Sequence, residues 1–445
     1  MAQPAQSAGK ERPLYLLSGI GLALAGLTVA APFAFRAGGD NAFIALAIPA
    51  GLLTLAATQA AERTAASRAL WLIFGAGILL RIYVLLFDPL LSTDIFRYIW
   101  DGRVQAAGIN PYRYFPAHDA LAHLRDPAIF PRINRADYAV TIYPPVAELF
   151  FLVVTRIGEN VNVMRLALLG CEAVSVTLIV LFLRRMQRPL TQVVAYLWHP
   201  LPIWEIANNG HVDAMAVALM LLGLWLALTG RATGGAVSIA LAALVKPYVA
   251  PALASIWRPW DWKMPAVVIA VISLCYLPYL SVGWGVFGFL TQGYLTEEGI
   301  ASGNDLWLLC VWRFVFGIHR GDVAAYAVVA SIVLFMMLSA ARRPDRTMAS
   351  SLADTNMLLL VVLLLVSPNR PWHFLPILPF VALCGNAPTW VVSIGALLLT
   401  NELYWEFHLP KPVIKSILFG GFLLACIWSA RAAYREKAAA TGRSP

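Results

Sequence analysis

Asp94, Arg97, Tyr98 and Asp101 stand at positions i, i+3, i+4 and i+7, so a helix through them carries all four on one face. Ile95, Phe96, Ile99 and Trp100 cover the other face, the pattern of an amphipathic helix lying on a membrane surface with its polar side up. A carboxylate held there can take a proton from a hydroxyl group. Basic side chains beside it can hold an anionic leaving group such as a lipid-linked phosphate. Lys246, Arg370 and His373 are the candidates for that task, lysine as a point charge and arginine as a planar fork that matches phosphate. Tyr143 in TIYPP, and His211 and Asp213 in EIANNGHVD, complete the set of candidate substrate-binding groups.

Each of these side chains also has a plainer reading. Asp94 can act as a helix-start residue or as the partner of Arg97. Asp101, one turn on, can simply pair with Arg97 or Arg103. His211 and Asp213 can cap the helix that begins there. Lys246 can snorkel to nearby headgroups, although the proline that follows it in mid-run marks a break. Arg370 and His373 can be interface anchors beside Trp372. Arg81 lies inside an apolar span and can pair with Asp88 at i+7.

The elements that must position these groups follow from composition. The chain of 445 residues is 60% hydrophobic and 13% charged, against about 25% charged in soluble domains. Its mean hydropathy is +0.71, and its many apolar runs approach the roughly 20 residues that a span requires. This predicts an all-α polytopic membrane protein. The net charge of +9 falls largely in short loops between spans, where the positive-inside rule accounts for it, so nucleic acid is not an expected partner. The five cysteines are scattered without C-x-x-C spacing, which indicates neither a disulfide framework nor a metal site. No D-x-D occurs in the first outer loop and no His/Asp/Glu cluster has metal-ligand spacing. A metal is therefore not indicated, and no cofactor is expected. There is no P-loop and no G-x-G-x-x-G at a strand–helix junction.

Loop charge and parity place spans at about 14–35, 41–61 and 69–91, which leaves 92–145 as an outer loop with five aspartates and six arginines. Gly108, Asn110 and Pro111 end its helix and turn the chain. Residues 146–157 read as a second helix on the outer surface, and 161–183 as a span ending in the basic RRMQR. Spans at about 190–206 and 212–229 flank the EIANNGHVD turn. The run from Ala236 to Trp257 reads as two half-helices with Lys246-Pro247 at the apex, since proline breaks a helix and irregular backbone at membrane depth needs a cavity or packed protein beside it. A span at about 264–282, an outer loop over 283–305, an interfacial stretch over 306–316 and spans at 323–341, 354–367, 373–385, 388–400 and 413–430 follow. The turns SPNRPWH and NELYWEFHLPKP fall outside, and both termini inside. In total, about 12–14 transmembrane helices are expected.

The order of STDIFRYIWDGRVQAAGINPY, TIYPP, NNGHVDA, LVKPY and SPNRPWHFLPILPF over residues 70–385 resembles the polytopic GT-C glycosyltransferases. The nearest branch is the bacterial mannosyltransferase-like group that uses polyprenyl-phosphate sugars. The resemblance implies a GT-C-like module over 69–282 containing the outer loop 92–145, preceded by a tail and two extra spans in 1–68 and followed by a bundle in 283–445. It implies that Asp94, the first aspartate of the outer loop, is the catalytic base, and that the donor phosphate lies near Lys246 and Arg370. It implies inversion of the anomeric centre, so that a β-linked donor yields an α-glycoside. The expected partners are a polyprenyl-phosphate sugar, a glycan or glycolipid acceptor and membrane lipid. The expected location is the bacterial inner membrane, with the active site facing outside. Two other readings stand beside this one: a lipid-linked-sugar flippase without catalysis, whose paired, broken halves are not visible here, and a non-catalytic subunit of an envelope assembly.

Overall fold

Apolar runs interrupted by glycine, proline and short polar turns produce a bundle of helices. The computed structural model describes residues 5–64, 66–342, 346–400 and 411–440, and every regular element among them is helical. Seven of these helices are long and apolar enough to cross a bilayer, or eight if the bent pair Pro200–Asn208 and Asp213–Leu228 counts as one span. The protein is a multi-pass membrane protein. The expectation of 12–14 crossings differs because several anticipated spans are shorter pieces: Ala232–Ala243, Pro371–Leu383 and Ala387–Leu399. The first long helix, Pro13–Glu62, is two helical runs meeting at Gly38–Gly39. Gly39 sits at φ 61°, ψ −153°, a conformation open to glycine. The expected spans 14–35 and 41–61 are its halves. Residues 401–410, which hold most of the anticipated turn NELYWEFHLPKP, lie outside the described residues.

The helix Asp94–Ala106 holds the four residues read onto one face, with Asp94 in a first turn that favours negative charge. It does not lie on a surface with a wet polar face. Arg97, Tyr98 and Asp101 are as buried as Ile95, Ile99 and Trp100. The reason is its pairing with Pro145–Ile157, the second short helix, and the roof made by the rest of the loop. At the crossing, a Cβ on Gly102 would come within 2.5 Å of the Phe151 carbonyl and of Thr155 Oγ1. Gly102→Ala therefore forces the two helices apart, and a loss of about 1–3 kcal/mol is expected, read as a lower melting temperature of the detergent-purified protein.

The G-x-N-P-Y and Y-P-P motifs act as ties. Asn110 Oδ1 accepts from the Tyr112 amide at 3.0 Å, an Asx turn, while its Nδ2 donates to the Tyr279 carbonyl at 3.0 Å. The Tyr112 hydroxyl donates to the Tyr143 carbonyl at 2.6 Å. Pro145 occupies the first helical turn, where a missing N–H costs nothing. The amides of Val146 and Ala147 instead donate to the Leu244 carbonyl at 3.1 and 3.4 Å, joining the start of one helix to the end of Ala232–Ala243. The next residues are the break anticipated at Lys246-Pro247. Lys246 has extended backbone, and a 3₁₀ helix, Pro247–Ser255, follows. Tyr143 and Lys246 thus meet because two irregular stretches share a hydrogen bond.

The NNGHVD stretch fastens the start of the outer loop. Asn208 Nδ2 donates to the carbonyls of Val84 and Asp88 at 3.0 and 3.2 Å, and its Oδ1 accepts from the Leu90 amide at 3.0 Å. Asn209 Oδ1 accepts from the Leu91 amide at 3.0 Å. Arg165 adds bonds to the Leu85 and Phe87 carbonyls. The otherwise orphaned end of Ala66–Leu85 is thereby satisfied. The anticipated span at about 264–282 ends in 3₁₀ turns, Leu277–Phe287, that run into the second outer loop. That loop docks on the first through the Phe289 amide, which donates to the Thr141 carbonyl at 3.0 Å. At Gly288, φ is +58° and a Cβ would lie 2.0 Å from the Thr141 carbonyl oxygen, so only glycine allows this approach. Asp322–Ala341 leaves Ile332, Phe335 and Met336 exposed, an apolar face suited to lipid.

Candidate active site

These ties converge on one cavity of about 310 Å³. Of the nine side chains singled out in the sequence, six line it: Asp94, Arg97, Tyr143, Lys246, Arg370 and His373. They come from the outer-loop helix, the Y-P-P stretch, the K-P-Y break and the N-R-P-W-H turn, which span about 280 residues of chain. The other three, Asp101, His211 and Asp213, stand behind this wall and are essentially fully buried.

Asp94 is the acid of the cavity that the sequence singled out. Its Oδ1 accepts from Asn134 Nδ2 at 2.7 Å, and its side chain retains 18% exposure. Asp101 has turned to Arg97, with Arg97 Nε at 2.8 and 3.0 Å from its two oxygens. Arg97 Nη1 donates to the Ala139 carbonyl at 3.0 Å, while its Nη2 is buried without a hydrogen-bond partner among the described residues. Glu148 lies next to Asp101 and is held by Thr141 Oγ1 at 2.5 Å and Gln105 Nε2 at 2.8 Å. Burial raises the pKa of Glu148 well above the usual carboxylate range, and the charge of Asp101 raises it further. Burial also raises that of Asp101, against the pull of Arg97. Asp101 anchors Arg97 at the cavity wall, with Glu148 beside it.

Lys246 Nζ lies 3.3 Å from Asp213 Oδ2 and 5.5 Å from the centre of the Tyr143 ring. The Tyr248 hydroxyl donates to Asp213 as well. Asp213 is therefore the counter-ion that makes a lysine tolerable at this depth. Arg370 lies over the Trp372 ring at 5.9 Å, and His373 Nδ1 is 3.3 Å from the Arg370 carbonyl. Further lining groups not singled out from the sequence include Asn134, Arg135, Tyr294, Glu298 and Trp372. Arg135 Nε is 2.6 Å from Glu297 Oε2, and its Nη2 is 3.8 Å from Glu298 Oε1, so the second outer loop is clamped to the first by charge. Acidic residues in that loop were visible in the sequence, but nothing local says which arginine they meet.

A second cavity, about 260 Å³, shares Ile142, Tyr143, Lys246, Tyr294, Glu298 and His373 with the first. Its remaining wall is largely apolar and includes Pro144, Val245, Leu290, Ile300 and Val366. A polar chamber with two carboxylates, Asp94 and Glu298, and several cations thus adjoins an apolar slot. That arrangement can hold a phosphate at the junction with a hydrocarbon tail beside it. Among the described residues, no three His, Cys, Asp or Glu side chains converge as metal ligands.

Residues 27–260, more than half of the chain, match the sequence profile of the alpha-(1->6)-mannopyranosyltransferase family, N-terminal domain. Alpha-(1->6)-mannopyranosyltransferase A of Mycobacterium tuberculosis is 24% identical over 324 residues. The match takes in 65% of this chain and spans 61% of the length of that relative. No solved structure matches. The stretch matched by the family runs through the outer loop, the NNGHVD turn and the K-P-Y break, and so carries Asp94 and Lys246; the chain belongs to the alpha-(1->6)-mannopyranosyltransferase family.

Proposed function

We propose that the protein is an inverting mannosyltransferase of a bacterial inner membrane. In this reading it moves mannose from a polyprenyl-phosphate donor to a cell-envelope glycan or glycolipid. The observation that carries the reading is the junction described above: a cavity holding Asp94, Arg97, Lys246 and Arg370 adjoins an apolar slot that shares Lys246 and His373 with it. The lipid chain occupies the slot and its phosphate meets Lys246, Arg370 and the spare N–H of Arg97. Asp94 accepts the proton of the acceptor hydroxyl as that oxygen bonds to the anomeric carbon. The bond to the phosphate oxygen breaks, its electron pair goes to the phosphate, and the cations stabilise the growing charge. Attack opposite the departing phosphate turns a β-linked donor into an α-mannoside. The name of the mycobacterial relative supports an α-(1→6) linkage. No metal is assigned to the step. Arginines and lysines in the loops around RRMQR, RPWDWK and ARRPDR support inner placement of those loops, with both termini cytoplasmic and the cavity facing out.

The test is transfer by purified protein from polyprenyl-phosphate mannose or a nucleotide-mannose, with envelope extract as acceptor and EDTA in a parallel arm. Transfer is expected from the lipid-phosphate donor alone and to persist in EDTA. Transfer from the nucleotide sugar instead removes the lipid-phosphate reading. Movement of the intact donor across vesicles without transfer replaces it with a flippase.

A further inference from the structure

Behind Asp94, away from the cavity, stands a row of ionisable groups. His211 Nδ1 is 3.9 Å from Asp94 Oδ2, and His211 Nε2 is 3.2 Å from Glu205 Oε2. His211 is fully buried and Glu205 is 1% exposed. Neither ring nitrogen meets hydrogen-bond geometry among the described residues, and a carboxylate oxygen faces each of them. The ring is stacked on Trp372 at 4.2 Å and 19°.

The row is rigidly mounted. Asn209 Nδ2 donates to Glu205 Oε2 at 3.0 Å, while the same side chain accepts from the Leu91 amide. The His211 amide donates to the Glu205 carbonyl at 2.9 Å. Gly210 turns the chain at φ +71°, where a Cβ would lie 2.5 Å from Ile95 Cδ1. Ile95 follows Asp94 directly, so the packing of these two segments holds the acid, the imidazole and the second acid in register. A buried carboxylate is costly unless a cation stands beside it. Two carboxylates flanking one imidazole leave the imidazolium as the form that answers both.

We infer that Glu205, acting through a positively charged His211, holds Asp94 as the carboxylate, and so sets the lower pH limit of transfer without touching substrate. His211 and Glu205 are positioning residues in this account, which rests on Asp94 being the base. Other charged and titratable groups face the row from the elements packed on it. Arg135, Tyr98, Tyr143 and Tyr294 lie within electrostatic reach of Asp94, Arg97, Lys246, Arg370 and Glu298 share its cavity, Asp213 and His373 lie within reach of His211, and Arg165 packs on Gly210. All remain in place in the variant below.

The experiment compares wild type with Glu205→Gln, which keeps the shape and an acceptor for Asn209 but removes the charge. The acid limb of kcat/KM against pH is expected to move up by about one pH unit, so that activity on the acid side falls about tenfold while the loss closes towards alkaline pH. Uniform loss at every pH, or an unmoved acid limb, overturns the inference. A second readout stands apart from the reaction. In ¹³C-histidine NMR of the protein in nanodiscs, the His211 resonance, assigned with His211→Asn, is expected to titrate about one pH unit lower in Glu205→Gln than in wild type. The same midpoint in both proteins overturns the inference. If wild type transfers nothing, the functional reading fails, and the NMR comparison still decides whether Glu205 charges His211.

Discussion

Asp94→Asn is expected to reduce mannose transfer by about 10²- to 10⁴-fold, the range lost when a positioned general base is removed, while binding of the lipid-phosphate donor stays near wild type. The substitution is almost isosteric. An asparagine oxygen can still accept from Asn134 Nδ2, as Asp94 Oδ1 does at 2.7 Å. The helix start, the cavity and the cations on its far wall are untouched. What disappears is the ability to take a proton, and with it one of the two charges beside His211. In the proposed reading donor binding rests on Lys246, Arg370 and Arg97, so it separates loss of chemistry from loss of the site. Single-turnover transfer with donor pre-bound makes the comparison. Retention of more than a tenth of the wild-type rate removes Asp94 as the base. Asp101 is not then the next candidate, because both its oxygens are engaged by Arg97 and it is buried behind the wall. Glu298, which lines the cavity, is.

Arg81→Leu is expected to destabilise the protein by about 3–5 kcal/mol, and Arg81→Leu/Glu172→Leu to recover most of that loss. Arg81 Nε and Nη2 lie 2.8 and 2.6 Å from the two oxygens of Glu172, a planar fork on a carboxylate. Its Nη1 donates to the Gly77 carbonyl at 3.0 Å and the Leu197 carbonyl at 2.8 Å. Both side chains are buried within helices that qualify as spans. Removing the arginine alone strands a carboxylate where no water replaces its partner. Removing both leaves an apolar seam. Melting followed by fluorescence-detected size exclusion reads the difference. A double variant no more stable than the single one shows that the Leu197 and Gly77 contacts, rather than the ion pair, hold these helices together.

These two cases mark where local pattern stops informing. Several features were legible because they depend on neighbours in sequence. The apolar runs define the long helices through burial of their length. The Asp94 helix starts where an acid meets a turn of polar residues. The chain breaks at Lys246-Pro247 because proline lacks an N–H and cannot continue the helix. The order of G-x-N-P-Y, Y-P-P, N-N-G-H-V-D and K-P-Y is likewise a property of the string.

Only the tertiary structure decided who faces whom. From the sequence, Arg81 had Asp88 one face away; it bonds instead to Glu172, 91 residues on. The polar face of the Asp94 helix read as wet, yet it is covered by Pro145–Ile157 and the loop above it. His211 read as a cap or a substrate ligand, but it is stacked on Trp372 between Asp94 and Glu205. A buried charge is satisfied by whichever opposite charge the packing of distant helices brings within about 4 Å, and helical periodicity speaks only to residues three or four apart. The sequence by itself therefore determined the helices, their breaks and the side chains capable of the chemistry. The packing of those helices decided that Asp94, Lys246 and Arg370 share one cavity and that Asp101, His211 and Asp213 stand behind it.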